Sequence, residues 1–380
     1  MQIQPLQQQI NRAPAVSGSV RTVGGDALRE IFSYLPPEEQ RAFRIVSRET
    51  VNELSVSKRE AFFREIVIEH GWDKEKWPEI IRDTLEIVGK KVGSLDLKGL
   101  EISKDKAALL LRFFPNLEKA DFTEAHIEDG AIDQLKGFTK LKKLILKGAT
   151  IRHLPSFKDV PLEYLDLSEA DSWDANSFCF DHIPTLKVLK IRNAPFVQGK
   201  REIIAKNPQL EEVWGISLKR GEAPYPLTKA RVLAFDHAYI ESFDFLKKSP
   251  CLERFVVHCC SLASQAAWKN FPRLCSLREL EVDEGEQRGL QNRLTSLSPL
   301  EINWQLRKVT LSNCTSIDRE AFNEFPFMPN LSALSIPGTQ LHSLFPLRQN
   351  PLLEEVNLNQ CTNITRNEFS QFPHMRRLKK

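Results

Sequence analysis

Leu141-Lys-Lys-Leu144-Ile-Leu146, Leu162-Glu-Tyr-Leu165-Asp-Leu167 and Leu186-Lys-Val-Leu189-Lys-Ile191 are three successive copies of one phrase, Leu-x-x-Leu-x-Leu. The first anchor of that phrase recurs at Val92, Leu117, Leu141, Leu162, Leu186, Leu210, Ala230, Leu252, Leu277, Leu306, Leu331, Leu353 and Met375. Steps between anchors run from 20 residues (Leu210 to Ala230) to 29 (Leu277 to Leu306). A period of this size means stacked coils rather than one central core. Apolar residues at places 1, 4 and 6 do not fit a helix face. They fit a short strand that enters with one buried residue and then alternates in and out.

A further apolar residue follows the third anchor and turns the chain back over the coil: Ile102, Ile127, Ile151, Phe196, Ile240, Leu262 and Leu341, or slightly later Trp173, Ile317 and Ile364. The second half of many repeats predicts a helix, over 105–114, 130–138, 200–206, 319–325 and 366–372. Pro or Asn then precedes the next anchor, as in Phe114-Pro115-Asn116-Leu117 and Pro329-Asn330-Leu331. Three repeats fit poorly. Gly215 stands at the third anchor of the Leu210 repeat, Ala230 is a small first anchor, and Glu284 to Gln305 predicts a surface loop.

This pattern resembles the leucine-rich repeat family. Two copies are similar to its cysteine-containing subclass: Leu306-Arg-Lys-Val309-Thr-Leu311-Ser-Asn-Cys314-Thr-Ser-Ile317 and Leu353-Glu-Glu-Val356-Asn-Leu358-Asn-Gln-Cys361-Thr-Asn-Ile364. The resemblance implies an α/β solenoid, a horseshoe with parallel strands on its concave face and helices on its convex face. It would span 92–380 in about twelve repeats, the last incomplete.

The 53 basic and 50 acidic residues nearly cancel, leaving a net charge of +3. Nothing there predicts a nucleic-acid footprint or an anionic membrane partner. Residues 1–21 are Gln-rich, then rich in Pro, Ser and Gly, without the basic start and apolar run of a secretory signal; they predict a disordered lead-in. The expected compartment is cytoplasmic, or a host's cytoplasm if the chain is a bacterial effector. Cys260, Cys314 and Cys361, three of seven cysteines, stand eight residues after a first anchor. Ala125, Ala149, Ala170, Ala194, Ala238, Gly285 and Thr339 fill that slot elsewhere, so it predicts a small inward side chain. His258-Cys259-Cys260 has the residue types of a metal site, but no second Cys/His pair stands at ligand spacing, and no metal is expected. No Walker loop, Gly-x-Ser-x-Gly or His-Glu-x-x-His occurs, and neither catalysis nor a cofactor is expected.

Residues 22–65 follow a different rule. Leu28, Ile31, Phe32 and Leu35 make an i, i+3, i+4, i+7 stripe. Pro36-Pro37-Glu38-Glu39 stops that helix and starts another, and Ser57-x-x-Glu60 is a capping box. The reading is a small all-α bundle, with 66–91 as a helical linker or cap. Asp26-Ala-Leu28-Arg-Glu30-Ile31-Phe32-Ser33-Tyr34-Leu35-Pro36 and Arg44-Ile45-Val46-Ser47-Arg48 resemble an F-box. The places of the family's opening Leu-Pro hold Val23 and Gly24, and that of a later Trp holds Thr50. The resemblance implies a Skp-type adaptor and cullin complex as partners, with Leu28, Ile31, Phe32, Leu35, Pro36 and Val46 facing or supporting the adaptor contact. The chain would then be the substrate receptor of a Skp-cullin-F-box type ubiquitin ligase. The alternatives are a plain helical cap and a binding scaffold or host-directed effector with no ubiquitin link.

Outward strand places would line the concave, target-binding face. Trp214, Ile216, Val232, Arg254, Val256 and His258 are its expected contact patch, next to the acidic Glu279, Glu281 and Asp283, because Trp and Arg are favoured at interface hot spots. Alternatively, the atypical Leu210 repeat is out of register and Trp214 is buried.

Overall fold

Two residues after every first anchor from Val92 to Leu353 a strand begins, and the twelve strands form one sheet in which chain order is spatial order. All neighbours are parallel, in steps such as Lys119↔Lys143, Lys143↔Tyr164 and Tyr164↔Val188. The computed structural model describes Gly71 and residues 89–172, 181–194, 197–264, 266–285, 294–317, 319–365, 367 and 377–379. The chain divides into two units, Met1–Gly89 and Lys90–Lys380, and the second is described by itself. The segments read as 1–21 and 22–65, most of 66–91, the helix expected over 366–372, and the residues Trp173, Phe196 and Met375 lie outside the described residues.

The strand arises from the anchors. Leu144, Leu146, Leu165, Leu167, Leu189 and Ile191 are fully buried, while the residues between them face out. Burial of a Leu or Ile side chain is worth about 1.5–3 kcal/mol, and the stack repeats it in every coil. After the strand a second, two-residue strand forms in several repeats. It builds a four-stranded ladder from Glu101–Ile102 to Asp171–Ser172 and a two-stranded one between Tyr239–Ile240 and Ser261–Leu262. Ile102, Ile127, Ile151, Ile240 and Leu262 are its buried residues, as the turn-back reading requires.

The returning halves are α-helices at Lys104–Phe113, Asp129–Gln134, Val197–Lys206, Ala266–Lys269 and Arg319–Asn323. Others are 3-10 turns, as at Asp244–Lys248, Ser298–Leu300 and Phe345–Gln349. The last two carry Pro in the first turn, where its missing N–H costs nothing. Ser103 caps the first helix by accepting from the Lys106 N–H. Among the described residues, no helix is long and apolar enough to cross a membrane.

Two features recur with the period and carry little sequence signature. Seven residues after the first anchor the backbone is left-handed, with φ between 49° and 69° at Gly99, Glu124, Gly148, Glu169, Asn193, His237, Cys259, Asn313, Gly338 and Gln360. For a residue with a Cβ that conformation costs roughly 1–2 kcal/mol. A ladder bond offsets part of it: the Glu124 and Glu169 N–H groups donate to Lys147 and Arg192 carbonyls at 2.8 Å.

The second feature is buried asparagine. Asn207, Asn303 and Asn350 stand three residues before Leu210, Leu306 and Leu353, and each is essentially unexposed. Their Oδ1 atoms accept from the N–H groups of Ile183, Leu274 and Met328, at the matching place one repeat earlier, at 2.7–2.8 Å. Each amide also donates back to a backbone carbonyl, such as Pro326 from Asn350. Asn350→Ala strands the buried Met328 N–H and is expected to cost roughly 2 kcal/mol in urea unfolding. A loss below about 0.5 kcal/mol, the size of an ordinary surface change, would contradict this role.

The small slot behaves as its composition implies. Ala125, Ala149, Ala170, Ala194, Ala238, Cys314 and Thr339 are buried. The thiols of Cys260, Cys314 and Cys361 turn back to carbonyls of His258, Ser312 and Ile336 at 3.1–3.4 Å. Burial pushes the Cys260 thiol up to about 12, so it is an inert donor rather than a nucleophile. None of the described cysteines is in a disulfide.

Candidate functional site

In the middle of the sheet, outward side chains from successive strands make one row. Trp214 aligns with Lys190 on one side and Ala234 on the other, so it faces out, partly exposed. Its indole lies between two cations, with Lys190 Nζ 5.7 Å and the Arg254 guanidinium 5.1 Å from the ring centroid. Lys190 also reaches Tyr164, and Lys143 lies 4.2 Å from that ring. Arg254 continues the row to the acids, meeting Glu281 at 2.8 Å and Glu279 at 3.5 Å. The Tyr164 phenol is pushed well above its usual range, first by burial and then by Asp166. It stays a neutral donor to Asp166.

The rest of the expected patch divides. Val232 and Arg254 are partly exposed on this face. Val256 shares the outward register with Ala234, yet both are more than nine-tenths buried beside the larger Trp214 and Arg254 side chains. Ile216 does not belong to the face, which corrects the sequence reading. A β-bulge between Trp214 and Ile216 inserts Gly215 as an extra residue, so Ile216 aligns with the inward Phe235 and packs near Ile204, Leu233 and Phe245. Gly215 takes φ 89°, and a Cβ there would stand 2.3 Å from the Arg192 backbone nitrogen. Leu28, Ile31, Phe32, Leu35, Pro36 and Val46 lie outside the described residues.

At the end of the row is a polar cluster. The register sets Asp236, His258 and Asp283 side by side on three strands. His258 Nδ1 is 2.6 Å from Asp236 Oδ1, and Nε2 is 3.4 Å from Asp283 Oδ2. Hydrogen bonds to Asp236 and then Asp283 raise His258 to about 9, so the ring carries both protons at neutral pH. The same contact with His258, joined by donors from Gly285 and Asn313, holds Asp283 down to about 2. Arg192 Nε lies 3.4 Å from Asp236 Oδ2. His237, which linear reading passed over, packs edge-on to His258 with ring centroids 6.0 Å apart.

No family model matches the sequence, and no curated protein matches it. Solved structures with a similar chain trace include an internalin from Listeria monocytogenes, 13% identical with a TM-score of 0.49, over 75% of this chain and 87% of that one. Another is a leucine-rich-repeat protein from Leptospira interrogans, 17% identical with a TM-score of 0.46, over 75% and 85%. A third is the functional domain of InlJ from Listeria monocytogenes, which includes a cysteine ladder; it is 16% identical with a TM-score of 0.41, over 73% and 55%. The anchors, the parallel sheet and the returning helices themselves define the class: a leucine-rich-repeat solenoid.

Proposed function

We propose that this chain is a protein-binding receptor with no reaction of its own. Its outward sheet face, from Tyr164 to Glu281, holds a protein target. Residues 22–65 dock a Skp-type adaptor, making the chain the substrate-recognition subunit of a Skp-cullin-F-box type ubiquitin ligase. The observation that carries the binding reading is Trp214, an indole left partly exposed between Lys190 and Arg254 at the centre of the sheet. The coil interior does not need it, and Trp and Arg are both among the residues enriched at interface hot spots. The face offers cations toward Lys143 and acids toward Asp283, which would fix the orientation of a target more than its affinity. In this role the chain contributes proximity to a transfer performed by other subunits.

The ligase part of the reading rests on the F-box-like residues alone, and adaptor binding tests it. Full-length chain titrated with a purified Skp-type adaptor is expected to form a stable complex. Ile31→Asp or Phe32→Asp is expected to abolish it while the solenoid's melting transition stays in place. If the unaltered chain binds no such adaptor, the scaffold or effector reading stands instead. Val23 and Gly24, at the places of the family's Leu-Pro, favour that second reading.

A further inference from the structure

We propose that His237, His258, Cys259 and Asp283 form a zinc-type site for a borderline-soft divalent cation, with Asp236 as the outer carboxylate that orients His258. The proposal is independent of the receptor reading.

One ligand atom from each of His237, His258 and Cys259 lies within 4.8 Å of the other two. Cys259 Sγ is 3.9 Å from His258 Nε2, and Asp283 Oδ2 is 3.4 Å from that same nitrogen. Around a tetrahedral zinc ion the N-to-S and N-to-O separations are about 3.6 and 3.3 Å, from usual bond lengths of about 2.0–2.3 Å. Those two separations are close to what the ion requires; the His237 nitrogen, within 4.8 Å of the His258 and Cys259 ligand atoms, has to draw nearer, and Asp283 completes the set from the next strand. Asp236 Oδ1 at 2.6 Å from His258 Nδ1 supplies the carboxylate–histidine contact that fixes a metal-binding imidazole and leaves its other nitrogen for the ion.

Two further features point the same way. His237 and Cys259 occupy the left-handed place of consecutive repeats, where the other repeats have Gly, Asn, Glu or Gln. In the next repeat Gly285 leaves room for the thiol, since a Cβ there would stand 2.5 Å from Cys259 Sγ. Asp283 Oδ1 is occupied by Gly285 and Asn313, which turns Oδ2 toward His258.

Binding replaces two protons. The ion takes the place of the Nε2 proton of His258 and of the Cys259 thiol proton, and both pass to solvent. One thiolate and one carboxylate then balance the two charges of the ion. The Arg192 guanidinium, 3.3 Å from both ring nitrogens and about half exposed at 49%, has to swing aside.

The test uses the full chain after chelator treatment. Zn²⁺ is titrated in competition with a chromophoric chelator, and Co²⁺ is added separately as a spectroscopic probe. The expected result is uptake of one ion per chain, with a thiolate-to-cobalt charge-transfer band that Cys259→Ser removes and Cys275→Ser, at an exposed thiol, does not. His237→Gln and Asp283→Asn are expected to weaken Zn²⁺ at least about tenfold, and Asp236→Asn about 10–100-fold. Because His237 is exposed, its variant should melt like the unaltered chain in chelator, separating lost binding from lost folding. Failure to take up an ion at stoichiometric concentration, or uptake and a cobalt band unchanged in Cys259→Ser and His237→Gln, overturns the proposal.

Discussion

Gly215→Ala is expected to destabilise the solenoid by about 3 kcal/mol or more, read as a lower urea midpoint with the slope unchanged. Two penalties combine. The residue sits at φ 89°, where a Cβ is strained whatever surrounds it. The added methyl would also stand 2.3 Å from the nitrogen and 2.4 Å from the Cα of Arg192. Those are backbone atoms of the preceding repeat, and they cannot step aside as a side chain can. Gly221 is the internal comparison: its φ is 83°, but nothing lies within 4 Å of a Cβ there. Gly221→Ala should therefore show the backbone penalty alone, roughly 1–2 kcal/mol. If the two variants lose equal stability, close packing at the bulge is not what selects glycine at 215.

Trp214→Ala is expected to weaken target binding by about 2 kcal/mol or more, roughly 30-fold, with little change in melting temperature. The indole is partly exposed and rests on cations rather than in the coil interior, so its removal opens no core cavity. Arg254→Ala should weaken binding less, because it strips one flank of the indole and leaves Glu279 and Glu281 exposed but hydrated. Calorimetry with a captured target reads both. Binding unchanged while stability falls would mean that Trp214 serves the fold.

The repeat anchors were legible because one physical demand, burial at places 1, 4 and 6, returns in each coil. They fixed the start of each strand and the inward small slot. Ile216 was misplaced because alternation assumes an unbroken pleat; one bulged residue exchanges the two faces. The available signal was Gly215 at an anchor, followed at once by Ile216. His237 was missed for another reason: its neighbours come from adjacent repeats, and linear ligand spacing does not detect contacts made by stacking. The left-handed place could be read from Gly99, Gly148 and Gly338, but not from Glu124 or Glu169, whose chemistry does not favour that conformation. Buried Asn207, Asn303 and Asn350 look like ordinary loop residues until the preceding coil supplies their donors.

The receptor role requires two separable contacts, and one co-purification experiment addresses both. Full-length chain, a Skp-type adaptor and a target identified by in-cell cross-linking are isolated together, alongside the Ile31→Asp and Trp214→Ala variants. Ile31→Asp is expected to lose the adaptor and keep the target, and Trp214→Ala to lose the target and keep the adaptor. An unaltered chain that binds no adaptor, or a Trp214→Ala variant that keeps the target at full affinity, would contradict the receptor role.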